Sequence, residues 1–156
     1  MKKIIPLLIL LIIVFISSGQ TAEQQSLEST LETWLPSKPF ESILSYLQIP
    51  YWGILVSIEE RGYYAFVEFL IRKATHFFYF GFIALAIYAA LPNFKYRTIF
   101  AAILTFLFAL ADEFHQSFTS GRTAASQDMM LDTAGAITAL LVWSWIRRWK
   151  QRKSAI

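Results

Sequence analysis

The chain has no cysteine, which excludes disulfides, thiolate-bound metals and a cysteine nucleophile. It is also short of charge. Asp, Glu, Lys and Arg make up 16% of its 156 residues, against roughly a quarter in soluble domains. Hydrophobic residues make up 56% and the mean hydropathy is +0.46, so the composition describes a membrane protein rather than a soluble domain. Nowhere does H-E-x-x-H, G-x-S-x-G or a Walker sequence occur, which removes the familiar signatures of zinc proteases, serine hydrolases and nucleotide-binding enzymes. Internal repeats and low-complexity tracts are missing too. The net charge of +3 hints at nucleic acid, but its distribution along the chain contradicts that reading.

What is present is apolar and arranged in four runs. The first, residues 4–18, follows Lys2 and Lys3; at 1.5 Å per residue it reaches about 22 Å, short of a hydrocarbon core of about 30 Å. A positive start and a short apolar run also describe a signal peptide, but SSGQTAEQQ offers only Ser18 and Ala22 as weak cleavage points, so an uncleaved anchor is the better reading. The other runs cover about 69–91, 98–115 and 128–146. PNFKYR joins the second and third, too short for anything but an antiparallel hairpin, and Pro92 closes the second. Residues 19–68 form a loop, polar and acidic in its first half. Its second half, ILSYLQIPYWGILVSI, is interrupted by Gln48, Pro50 and Gly53; it reads as an interfacial or re-entrant segment with Tyr51 and Trp52 at headgroup level. The expected fold is an all-α membrane protein of four transmembrane helices, a single domain over 1–156.

Charge sets the expected orientation. With both termini cytoplasmic, the inner side carries nine of the 14 cations, including Lys95, Arg97 and the basic tail 147–156, and none of the 11 acidic residues. The split is +9 inside and −6 outside, as the positive-inside rule requires. Trp143, Trp145 and Trp149 beside Arg147 and Arg148 resemble an inner aromatic belt. The basic charge is therefore a topology signal with attraction to anionic lipid, and nucleic acid is not an expected partner.

This layout brings three separate stretches to one outer depth. Arg72, Lys73 and His76 open the second span, with Tyr79 one turn deeper; Asp112, Glu113, His115 and Gln116 close the third; Asp128 and Asp132 open the fourth. Asp112, His115 and Gln116 follow i, i+3, i+4 spacing and Asp128, Asp132 and Gly135 follow i, i+4, i+7, so each set shares most of a helix face. Two aspartates on one face repel unless a cation lies between them. Arg72, Lys73, Arg122 or a divalent metal would serve. An unpaired charge in hydrocarbon costs about 2.5–3.5 kcal/mol on insertion scales, and Asp132, one turn deeper than Asp128, has the hardest escape to water. Gly135 would let a neighbouring helix pass closely.

KATHFFYF, DEFHQSF, the Gly-Arg of SGRTAAS and DMMLDTAG together resemble the VanZ-like membrane proteins. The spaced set that carries the resemblance is Lys73, His76, Tyr79, Asp112, Glu113, Gln116, Arg122, Asp128 and Gly135. Asp132 stands where that family often has Asn, and Ala139 occupies its later small-residue position. The resemblance implies a multi-pass protein of the cell membrane. Its namesake accompanies low-level resistance to teicoplanin-type glycopeptides, so it also points to the cell envelope.

Four readings of the outer cluster follow. Arg72, Lys73 and Arg122, with Tyr79 and Gln116 beside them, suit an anionic lipid headgroup, a lipid-linked cell-wall precursor or a glycopeptide, with Phe77, Phe78 and Phe118 flanking an acyl or prenyl chain. His76, Asp112, Glu113, His115, Asp128 and Asp132 offer an acid and a base for a membrane hydrolase or transferase acting on a lipid-linked phosphate. Of these, His76, Asp112, His115, Asp128 and Asp132 are candidate ligands for a divalent metal, the one cofactor the residues suggest, and none is fixed by the sequence. The same groups could instead form an ion network with no ligand. A small transporter has least support, since the charges lie at one face and four helices leave little room for a path; pairing of two copies in a homo-oligomer would remove that objection.

Overall fold

The computed structural model describes residues 3–120 and 125–153. A short apolar helix α1 (Ile5–Ser18) precedes α2 (Glu28–Trp34), α3 (Glu41–Leu44), strands β1 (Ile49–Tyr51) and β2 (Ile54–Val56), and α4 (Ile58–Arg61). Three long helices follow, α5 (Tyr63–Ala90), α6 (Arg97–Gln116) and α7 (Ser126–Lys153). These three are long and apolar enough to cross a membrane, and α1 is a shorter apolar helix of 14 residues.

The apolar runs make helices that extend past their apolar limits. Helix α5 begins at Tyr63, six residues before its apolar run, so Glu68 is helical and stands one turn from Arg72. It ends where Leu91 turns to extended backbone, the conformation that the following Pro92 imposes. Helix α7 continues through the basic tail to Lys153. The chain therefore runs up and down between two ends. One end gathers the start of α5, the end of α6 and the start of α7 and is called the polar end below; Arg97 and Arg147 lie at the other.

Residues 43–58, expected to be an interfacial or re-entrant segment, instead form the end of α3 and a tight antiparallel hairpin. Its register pairs Ile49 with Val56 and Tyr51 with Ile54. The two turn residues, Trp52 and Gly53, have φ of 52° and 74°, the double positive φ that matches the twist of a two-residue hairpin loop. The next segment, S-I-E-E, is a capping sequence: Ser57 Oγ accepts from Glu60 N at 3.2 Å and starts α4. Tyr51 on β1 packs edge-on against Phe69 of α5, which lays the hairpin over the polar end.

Inside the bundle the core is Phe80, Ile83, Ala84 and Ile87 of α5, Ala101 and Ala109 of α6, and Ala136 and Leu140 of α7. Outside it is just as apolar. Ile9, Ile12 and Ile16 of α1, Ile103, Leu107 and Phe114 of α6, and Leu141 and Trp145 of α7 are all exposed. Apolar surface on this scale needs a cover, and lipid around a helical membrane protein supplies one. Helix α1 packs on α5 and α6, held by Tyr79 Oη, which donates to the Leu10 carbonyl at 3.0 Å.

Candidate functional site at the polar end

Two helices approach very closely just below the polar end. A Cβ on Gly135 of α7 would sit 2.0 Å from the Phe77 carbonyl oxygen of α5. One turn on, a Cβ on Gly81 would sit 3.2 Å from Ala139 Cβ. Small residues on both helices let their backbones touch. That contact brings His76, the neighbour of Phe77, opposite Asp132, three residues before Gly135.

The result is a buried trio drawn from three helices: His76 of α5, Asp112 of α6 and Asp132 of α7. One ligand atom from each can be chosen so that all lie within 4.8 Å of one another. His76 Nδ1 is 3.4 Å from Asp132 Oδ1, yet neither atom has a hydrogen-bond partner. Asp132 is 1% exposed. Asp112 is better served. Ser18, at the end of α1, donates its hydroxyl to one carboxylate oxygen, and Gln116, one turn along α6, donates its amide to the other at 2.7 Å.

Around this trio runs a shell of ion pairs nearer the surface. Glu68 binds Arg72 one turn along α5. It also accepts from Leu27 N at 2.9 Å and Ser26 Oγ at 3.2 Å, so it ties the start of α2 to α5. Lys73 pairs with Asp128, and its ammonium lies 4.4 Å from the Tyr51 ring centre and 5.4 Å from that of Phe69, within cation–π range. Tyr51 donates its hydroxyl to the same Asp128 oxygen, and Trp52 N donates to Gln127 Oε1 at 2.9 Å. Burial, and then the Asp128 carboxylate, push the Tyr51 phenol upward from its ordinary ionisation range, so it stays a donor. Glu113 accepts from Ala125 N, which holds the chain entering α7.

Between the hairpin, α2, α4 and α5 this shell leaves an open recess of about 260 Å³. Arg61, Arg72 and Lys73 line it together with Tyr51 and Trp52, and His76 and Gln116 reach it from the trio's side. Three carboxylates, Glu28, Glu68 and Asp128, line it as well. A separate apolar groove of about 410 Å³ lies between α1, α5 and α6 and also touches Asp112. Another, of about 280 Å³, follows the α5–α7 seam along Phe77, Phe78 and Phe82. Phe118 lines the first of these grooves.

Several residues grouped by spacing part company in space. His115 turns away from the trio and stacks flat on Phe15 of α1, ring centres 4.5 Å apart. Asp112 and Gln116 lie about 40° apart around α6, whereas His115 lies about 100° from Gln116, which suffices to aim it at α1. Tyr79 is spent on the Leu10 carbonyl rather than on the recess. Asp128 is held by Lys73 and Tyr51 and lies outside the trio. Arg122 lies outside the described residues. Two partners have no place among the candidates read from the sequence. Glu68 carries a usable signal, its i, i+4 spacing to Arg72; Ser18 carries none, since its contact with Asp112 spans 94 residues.

Comparison with known proteins agrees with the motifs. A family model described as VanZ/LLP1 matches residues 3–147. No curated protein and no solved structure matches the chain.

Proposed function

The chain belongs to the VanZ/LLP1 family, and from that premise we propose that it binds a phosphate-bearing lipid headgroup at the outer face of the cell membrane. Both termini are then cytoplasmic and α1 is a fourth span, thinner than the bilayer core but seated against α5 and α6. The observation that carries this reading is the recess, where three cations and two aromatic side chains stand over helices whose outer surfaces are apolar. Arg72 and Lys73 already hold carboxylates, so a phosphate would share them rather than meet bare charge. Arg61, exposed on α4, adds a cation at the rim. An arginine fork and a lysine point charge on one phosphate is a common division of labour. The neighbouring grooves would take the acyl or prenyl chain.

The headgroup could come from a bulk phospholipid or from a lipid-linked wall precursor, and the link to glycopeptide resistance favours the precursor. Extraction and mass spectrometry of lipids retained by the full-length protein in nanodiscs separates the two. The expected result is enrichment of one phosphate-bearing species, reduced in Arg61→Ala and lost in Arg72→Ala. Retention of the same lipids by both variants would sink the reading. Reporter fusions test the orientation: alkaline phosphatase should be active at residue 122, and GFP should fluoresce at residue 154.

A further inference from the structure

We propose that His76, Asp112 and Asp132 bind one divalent transition-metal ion, Zn²⁺ or Mn²⁺, at the floor of the recess. The inference goes beyond headgroup binding and stands whether or not a lipid occupies the recess.

The first argument is charge. Two aspartates face each other in the bundle, and both nearby cations are committed elsewhere, Arg72 to Glu68 and Lys73 to Asp128. Dipoles from Ser18 and Gln116 serve Asp112, whereas among the described residues Asp132 has only the His76 imidazole, 3.4 Å away and beyond good hydrogen-bond geometry. A buried carboxylate left in this way is costly, and the usual remedies are an ion partner, a proton or a metal.

The second argument is orientation. Asp132 Oδ1 and His76 Nδ1 are both buried, both without a hydrogen-bond partner and 3.4 Å apart. Asp132 as a whole is 1% exposed, so water does not satisfy it from the surface. Tetrahedral bonds of about 2.1 Å place ligand atoms about 3.4 Å apart. The trio's atoms lie within 4.8 Å, so small side-chain rotations close the site.

The third argument is the surrounding shell. Metal-bound carboxylates are held by neighbouring donors, and Asp112 has Ser18 and Gln116 in that place, each leaving its oxygen a free lone pair. An imidazole with two carboxylates favours Zn²⁺ or Mn²⁺ over Ca²⁺ or Mg²⁺, which prefer oxygen throughout. Three protein ligands leave a coordination position open, and His76 and Gln116 both border the recess.

The test uses the full-length protein in detergent, purified without a histidine tag, stripped with chelator and titrated with Zn²⁺, Mn²⁺ or Co²⁺ alone. Near-stoichiometric uptake is expected, with cobalt giving the visible absorption of a low-symmetry site. Asp132→Asn and His76→Gln should each abolish it, and Gln116→Ala, a positioning change, should weaken affinity roughly 10- to 100-fold. Glu59→Gln, exposed on α4 away from the trio, should bind as the parent does. Thermal melting and size exclusion establish which variants fold; if Asp132→Asn does not, the parent titration and Gln116→Ala decide. Failure of the parent to bind any of the three ions, or parent-like affinity in a folded Asp132→Asn, would overturn the site and leave a proton shared between His76 and Asp132.

Discussion

The two ends of the bundle handle charge in opposite ways. At the far end among the described residues, cations meet oxygens without formal charge. Arg97 donates to the Tyr88 carbonyl at 2.6 Å and the Ala89 carbonyl at 3.2 Å, and Arg147 donates to the Tyr88 hydroxyl. The last carbonyls of α5 carry the negative end of its dipole, so Arg97 satisfies them and needs no acid. At the polar end every acid must find its own donor, because helix starts and loops there bring carboxylates together. Glu68, Glu113 and Asp128 succeed through Arg72, Ala125 N, Lys73 and Tyr51. Asp132 does not. The difference teaches that an end built on helix dipoles is self-sufficient, whereas an end built on buried side-chain pairs is complete only to the last partner.

The contrast can be broken most severely at the seam beneath the polar end. Gly135→Ala drives a methyl into the Phe77 carbonyl and should cost about 3 kcal/mol or more through overpacking, read as loss of monodisperse protein. Gly81→Ala, with 3.2 Å of room, should cost about 1 kcal/mol. Removal of a buried acid comes next. Glu68→Ala frees the start of α2 and strands Arg72, which should cost about 2–3 kcal/mol and open residues 19–48 to limited proteolysis; unchanged cleavage would refute the tie.

A gentler cut is Tyr51→Phe, which removes one hydrogen bond to Asp128 worth about 1 kcal/mol. It also carries a sign in pH. The folded phenol keeps its proton above the ordinary value of 10.0, where the unfolded chain gives it up, so parental stability falls as pH rises beyond that value. The fall should be shallower in Tyr51→Phe; equal slopes in chemical denaturation would remove Tyr51 from the account. The smallest effect belongs to the far end. Arg97→Gln keeps a donor near the α5 carbonyls and should shift the melting temperature only slightly, with about 0.5 kcal/mol lost.

Much of the frame was legible because lipid asks a simple question of a chain. Runs near 69–91, 98–115 and 128–146 had to be helices, since backbone polar groups in hydrocarbon must be satisfied within the segment. Boundaries were less legible. Glu68 and the basic tail lie in helices because hydrogen bonding continues past the edge of apolar sequence. The hairpin at residues 49–56 was hidden because its three-residue strands are too short for any periodicity, and the turn depends on positive φ at Trp52, a residue that advertises nothing of the kind.

The same division holds at the site. Residue order alone settled that His76, Asp112 and Asp132 belong to one end, because helices joined by short links must alternate in direction. Rotation about each helix axis settled the rest. Whether His115 or Gln116 faces Asp112, whether Tyr79 looks to α1 or to the recess, and which acids Arg72 and Lys73 take all depend on how α1, α5, α6 and α7 are turned against one another. That turning is set by long-range contacts, Gly135 on Phe77 and Ser18 on Asp112 among them. One chain carries no local trace of them, because each half of such a contact is ordinary until the other half arrives.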